Sequence, residues 1–105
     1  EIGDNVMLWS GNHIGHASKI GDHTYLASHV VISGHCVIGK RCFLGVNCTL
    51  RDFITVGDDT FITMQAAVIS DIPAGSVVLA EGGKILGPDN AAGQRIKNRY
   101  FGLNK

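Results

Sequence analysis

From Ile2 to Val68 an aliphatic residue returns at every sixth position: Ile2, Leu8, Ile14, Ile20, Leu26, Ile32, Ile38, Leu44, Leu50, Val56, Ile62 and Val68. A helix repeats every 3.6 residues and a strand every 2, and neither period produces a strict interval of six. A solenoid of very short strands does, because each strand then contributes one inward aliphatic residue and successive turns stack. This periodicity excludes helical bundles and ordinary sheets for residues 1 to about 73.

Gly follows the inward residue at positions 3, 15, 21, 39, 45 and 57, and Asn, Asp, Gly or His fills many of the third and fourth positions. Gly and Asn accept positive φ, so a sharp turn is expected in every hexapeptide. The cysteines Cys36, Cys42 and Cys48 share the fifth position with Ser18, Thr24, Val30, Ile54, Thr60 and Ala66. That position takes small or β-branched residues, so the thiols read as core filler. Tight C-x2-4-C zinc spacing is absent, and no metal is expected at the cysteines.

The pattern of aliphatic, small, two variable, small, variable resembles the left-handed parallel β-helix of hexapeptide-repeat acyltransferases, in which three hexapeptides close one triangular coil. The resemblance implies an all-β fold of about four 18-residue coils over residues 1–79, with a short last strand from Ser76 to Leu79 and a loop and basic tail over 80–105. Trp9, Arg51 and Ile69 depart from it where a small residue is expected. Residue 1 is Glu and falls inside a repeat. The chain is therefore expected to be part of something longer, and the N-terminal substrate-binding domain of many relatives is not contained in it.

At 18 residues per coil, Met7, Tyr25, Phe43 and Phe61 form one outward column of large apolar side chains. Such a stripe is a liability on a monomer. Family members are usually trimers with active sites between neighbouring prisms, so a homotrimer through these four residues is expected.

Five histidines invite a metal hypothesis, and the same fold hosts carbonic anhydrases with three His ligands. The spacings here are three, seven, six and six, whereas that site needs two ligands five apart, so no metal is expected. His23, His29 and His35 occupy the fourth position, a corner expected to face solvent. His13 and His16 stand apart, in the segment Trp9-Ser10-Gly11-Asn12-His13-Ile14-Gly15-His16. Acyl transfer from a thioester requires a base for the acceptor's proton and a donor for the carbonyl oxygen. Imidazole suits the first role, and a glycine one coil further on, Gly34, can present an open backbone N–H for the second.

The His-x-x-x-Ile-Gly-Asp segment from His16 to Asp22, with Gly34 one coil on, is similar to bacterial sugar acetyltransferases acting on nucleotide-linked amino sugars or sialic acid. The resemblance implies His16 as general base and the Gly34 amide as oxyanion donor, with His13 as competing base or substrate contact. It also implies acetyl-CoA as co-substrate, along Gly34, Gly45, Asn47, Thr63, Ala66 and Ala67, with Lys84 as a phosphate contact. An acidic residue follows the base in such relatives, whereas Ala17 stands here.

The expected function is acetyl transfer to an amino or hydroxyl group of a sugar destined for a surface glycan. The alternative is a non-catalytic β-helix that serves oligomerisation. Nine basic residues balance nine acidic ones, so no electrostatic case exists for nucleic acid or an anionic membrane. No apolar run approaches the roughly 20 residues of a membrane span, and the expected location is the cytoplasm.

Overall fold

The computed structural model describes residues 1–82 and 84–102. Eleven two-residue strands follow one another at intervals of six from β1 (Met7–Leu8) to β11 (Ala67–Val68), then β12 (Val77–Val78) and one helix, α1 (Ala91–Phe101). They wind into a prism with three parallel faces. The first face stacks β1, β4 (Tyr25–Leu26), β7 (Phe43–Leu44), β10 (Phe61–Ile62) and β12. The second stacks β2 (His13–Ile14), β5 (Val31–Ile32), β8 (Thr49–Leu50) and β11, and the third β3 (Lys19–Ile20), β6 (Val37–Ile38) and β9 (Thr55–Val56).

Each strand residue of the 18-residue coils pairs with the residue 18 further on, as in Met7 with Tyr25, His13 with Val31 and Lys19 with Val37. The last coil is shorter: Phe61 pairs with Val77 and Val56 with Ile72, a step of 16. The hexapeptide rhythm stops at Ser70, and the Asp71-Ile72-Pro73 turn closes the coil two residues early.

The first-position aliphatics fill the prism. Nine of the twelve, from Ile20 to Val68, are buried, whereas Ile2, Leu8 and Ile14, on the first coil described, are partly open. All three thiols are free and buried. The fifth position also donates across coils: Ser18 Oγ to Ser33 O, Thr24 Oγ1 to Gly39 O, Cys36 Sγ to Arg51 O and Cys42 Sγ to Gly57 O. These residues thus satisfy a buried carbonyl as well as filling space.

The glycines act differently from expectation. The positive φ falls at the fourth position of every hexapeptide from Asn5 to Gln65, where Gly11 is the sole glycine. The second-position glycines have ordinary φ and are required for a different reason. A Cβ on Gly15 would lie 2.5 Å from the carbonyl carbon of Ser33, and one on Gly21 2.6 Å from that of Gly39. Close stacking of the coils, at the roughly 4.8 Å strand spacing, leaves no room for a methyl group there.

The tail, expected as a loop and basic tail over 80–105, is helical from Ala91. Asn90 caps it by accepting from Gly93 N–H, and Gly102, in the left-handed region, ends it with its N–H donated to Asn98 O. Helix α1 packs against none of the strands, so the apolar first face stays uncovered by it. Lys105 of the basic tail lies outside the described residues.

Candidate functional site

His16 sits at the corner between the second and third faces, two residues after β2 and three before β3. The turn is held by Ser18 N–H donating to Gly15 O, and stacking is fixed by His35 N–H donating to His16 O at 2.8 Å. Gly34 lies directly over His16 in the next coil: a Cβ built on Gly34 would be 3.5 Å from His16 O. The sequence expectation that these two residues share a corner is met by this geometry.

Gly34 is unlike every other glycine of the array. Its φ is not positive, and an added Cβ would meet only ordinary van der Waals contacts, at 3.5 Å and, to Asp52 Oδ1, 3.6 Å. The other array glycines either adopt positive φ, as Gly11 does, or would collide with the next coil, as Gly3, Gly15, Gly21, Gly39, Gly45 and Gly57 would. Neither turn geometry nor coil packing therefore accounts for the absence of a side chain at Gly34. What its absence does is leave the corner over the His16 backbone open, between the His16 carbonyl and the Asp52 carboxylate.

One feature of the corner differs from expectation. The Gly34 N–H is not open: it donates to Asp52 Oδ1 at 2.8 Å. The same tie recurs where Asp4 N–H meets Asp22 and Lys40 N–H meets Asp58. A third-position Asp thus takes the amide one coil earlier. At His16 the residue one coil on is Gly34, which has no side chain, and among the described residues no acceptor takes the His16 N–H.

The imidazole of His16 makes no hydrogen bond with the described residues and meets one aromatic neighbour, the ring of His35, edge-on at 5.6 Å and 86°. His35 in turn lies flat on Phe53 at 4.8 Å and 3°. Sequence reasoning placed His35 at a solvent corner, which is correct, and gave it no role. Counting 18 from Gly34 and His35 reaches Asp52 and Phe53, so the same coil arithmetic would have found both neighbours.

His13 is exposed on β2, on the second face rather than at the His16 corner. Gly45, Asn47 and Thr63 lie at the other edge of that face, between β7 and β8 or after β10, so one prism does not bring them to His16. Of these, Gly45 is accounted for by packing, since its Cβ would be 2.5 Å from Met64 N. Thr63 Oγ1 donates to Val78 O and accepts from Ala80 N–H, holding the closing loop. Ala66 is 2% exposed and points inward, so its side chain offers no surface to a cofactor, in contrast to the sequence expectation. Asn47, Ala67 and Lys84 are exposed.

The perturbed ionisations lie away from this corner. The Arg41 guanidinium donates to Asp59 and holds its carboxyl below the usual range, and burial pushes the Cys42 and Cys48 thiols up. Among the described residues no three His, Cys, Asp or Glu gather as a metal site. Among the described residues no helix is long and apolar enough to cross a membrane.

The expected outward stripe is present. Tyr25 stacks on Phe43 at 5.3 Å and Phe43 on Phe61 at 4.8 Å, with Trp9 tilted against Tyr25. Met7 and Phe61 are about half exposed at its ends, 53% and 45%.

Residues 1–34 match the family model described as bacterial transferase hexapeptide (six repeats). No curated protein sequence matches the chain. Among solved structures, the chain is similar to perosamine N-acetyltransferase from Caulobacter crescentus in complex with CoA and GDP-perosamine, a variant with one histidine replaced by asparagine. The TM-score is 0.74 at 27% identity, over 82% of this chain and 41% of that one. A histidine-to-alanine variant of the same enzyme, with the same ligands, matches at 25% identity and a TM-score of 0.59, over 82% of this chain and 50% of that one. Serine acetyltransferase isoform 3 from Entamoeba histolytica, in complex with cysteine, shares the fold at 19% identity and a TM-score of 0.70, covering 90% of this chain and 37% of that one. The chain thus spans about half or less of the length of these structures. The prism is a left-handed parallel β-helix, the fold of these acetyltransferase structures.

Proposed function

We propose that this hexapeptide-repeat β-helix is the catalytic core of an acetyltransferase, one that moves an acetyl group from acetyl-CoA to an amino or hydroxyl group of a nucleotide-linked sugar. The observation that carries the reading is Gly34: the one array glycine that the fold itself does not require lies directly over an exposed histidine. The similarity to a sugar N-acetyltransferase that binds CoA and GDP-perosamine supports the substrate class.

Acetyl-CoA, when bound, supplies an activated acyl group as a thioester. His16 accepts the proton of the acceptor amine or hydroxyl as that group attacks the carbonyl carbon, and returns it to the departing thiolate. Gly34 leaves room for the reacting carbonyl beside the imidazole, and its N–H serves as donor to the developing oxyanion. Because Asp52 holds that N–H in the free chain, the carbonyl oxygen takes it in exchange for the exposed Asp52 carboxylate. Such a donor is worth roughly 3 to 4 kcal/mol in the transition state. His13 serves as a substrate contact on the adjoining face. Asn47, Ala67 and Lys84, being exposed, are the residues we assign to the CoA chain and its phosphates.

The stripe of Met7, Tyr25, Phe43 and Phe61 is assigned to a homotrimer. Since Asn47 and His16 flank opposite edges of one face, a seam between two prisms is the way both edges meet one substrate. A purely scaffolding role would also use the stripe. The two readings part on a direct assay: thiol release from acetyl-CoA with a panel of amino-sugar nucleotides. Acceptor-dependent release supports the enzyme; a trimer that releases no thiol with any acceptor supports the scaffold.

A further inference from the structure

His16 is exposed, and neither ring nitrogen has a hydrogen-bond partner among the described residues. Its neighbours Gly34 and Ala17 offer it no polar group. A base with free χ1 and χ2 spends much of its time aimed elsewhere, because three staggered χ1 wells and a two-fold χ2 give roughly six arrangements. One contact selects among them: the edge-on approach to the His35 ring at 5.6 Å.

His35 is itself held from the far side. Phe53, one coil further on, lies parallel to it at 4.8 Å, and both residues occupy the left-handed turn position, with φ of 58° and 63°. Along the array that position takes Asn, Gly, Ala, His, Arg, Asp or Gln; Phe53 is its one large apolar residue, and it is 71% exposed. A bulky aromatic side chain is out of place in the left-handed region and in solvent alike. Burial does not explain it, whereas stacking on His35 does.

We propose that His35, backed by Phe53, is a positioning residue for the His16 imidazole: the stacked pair presents a fixed ring against which His16 is confined to one rotamer. The kinetic arm of the test rests on the acyl-transfer reading above; the spectroscopic arm does not. Ala17 adopts the same turn conformation with φ 58°, so His35→Ala is compatible with the fold. In the protein with labelled histidines, three-bond NMR couplings should report a single χ1 rotamer for His16. His35→Ala should average it, and His35→Phe, which keeps both the edge contact and the stack, should restore it. In acetyl transfer, His35→Ala should lower kcat by about three- to sixfold, the dilution over freed rotamers, with KM for acetyl-CoA unchanged and His35→Phe within twofold of wild type. Phe53→Ala should have a smaller effect in the same direction. The proposal is overturned if His16 already averages in the wild-type protein, if His35→Ala leaves its rotamer fixed, or if His35→Phe is as impaired as His35→Ala. A fixed rotamer that His35→Ala frees, in a protein without transferase activity, supports the positioning contact and counts against the acyl-transfer reading alone.

Discussion

Two glycine substitutions one coil apart should have opposite consequences, and the contrast follows from distances. A Cβ on Gly15 would lie 2.5 Å from Ser33 C, 2.7 Å from Gly34 N and 2.7 Å from Ser33 O, all backbone atoms. Relief requires the coils to part by on the order of 1 Å, which takes the 2.7 Å bond from Gly15 N–H to Ile32 O out of range. Overpacking costs about 1–3 kcal/mol and a lost hydrogen bond about 1 kcal/mol. Gly15→Ala is therefore expected to destabilise by roughly 2–4 kcal/mol, or on the order of 10–20 °C in Tm for a domain of this size. Gly34→Ala meets nothing closer than 3.5 Å and needs no special φ. It should fold as well as wild type, or gain about 0.4–1 kcal/mol from a less flexible unfolded chain. Its methyl group enters the open corner over the His16 carbonyl, where the account seats the reacting carbonyl, and a misplacement of about 1 Å in a reacting group costs about a hundredfold. Thermal unfolding by circular dichroism together with a thiol-release assay would read both. An unshifted Tm for Gly15→Ala would refute the packing argument, and full activity of Gly34→Ala would refute the role assigned to the open space.

Phe43 is stacked between Tyr25 and Phe61 at the centre of the outward stripe. Phe43→Asp should convert trimers to monomers in sedimentation velocity while leaving the circular dichroism spectrum of the prism intact; monomeric wild-type protein would contradict the interface. Cys48 is fully buried, and burial pushes its thiol up to about 12. The folded state keeps this proton above pH ~9, where an unfolded thiol releases it, so stability is full below that pH and falls as pH rises toward the folded value. Unfolding free energies from urea titrations through the alkaline range should fall by up to about 1.4 kcal/mol per pH unit, and the drop should shrink in Cys48→Ala.

The solenoid was legible because one property, the inward aliphatic residue, repeats without a gap from Ile2 to Val68. The outward column of Met7, Tyr25, Phe43 and Phe61 followed from the same count once a coil was set at 18. The reason for the glycines was not legible. Positive φ and close approach both select Gly, and only coordinates show that the turn sits at Asn5, Ala17 or Phe53 while Gly15 and Gly21 answer to the neighbouring coil. The tie from Gly34 to Asp52 follows the same 18-residue step but was not legible, because an Asp at a turn suits solvent as well as a neighbouring coil's amide. The 16-residue last coil was hidden because its pairing runs past the end of the repeat. Ala66 was expected both at the core-filling fifth position and along the acetyl-CoA path, because small residues suit a crowded core and a cofactor groove alike; it is core here.

The most direct test of the central claim is the rate of acetyl transfer in His16→Ala. A group that accepts the acceptor's proton contributes about 10²- to 10⁴-fold. The variant should therefore fall at least about a hundredfold in kcat, while its thermal midpoint, for an exposed side chain without hydrogen bonds, stays near wild type. A His16→Ala protein that transfers acetyl at the wild-type rate would contradict the account.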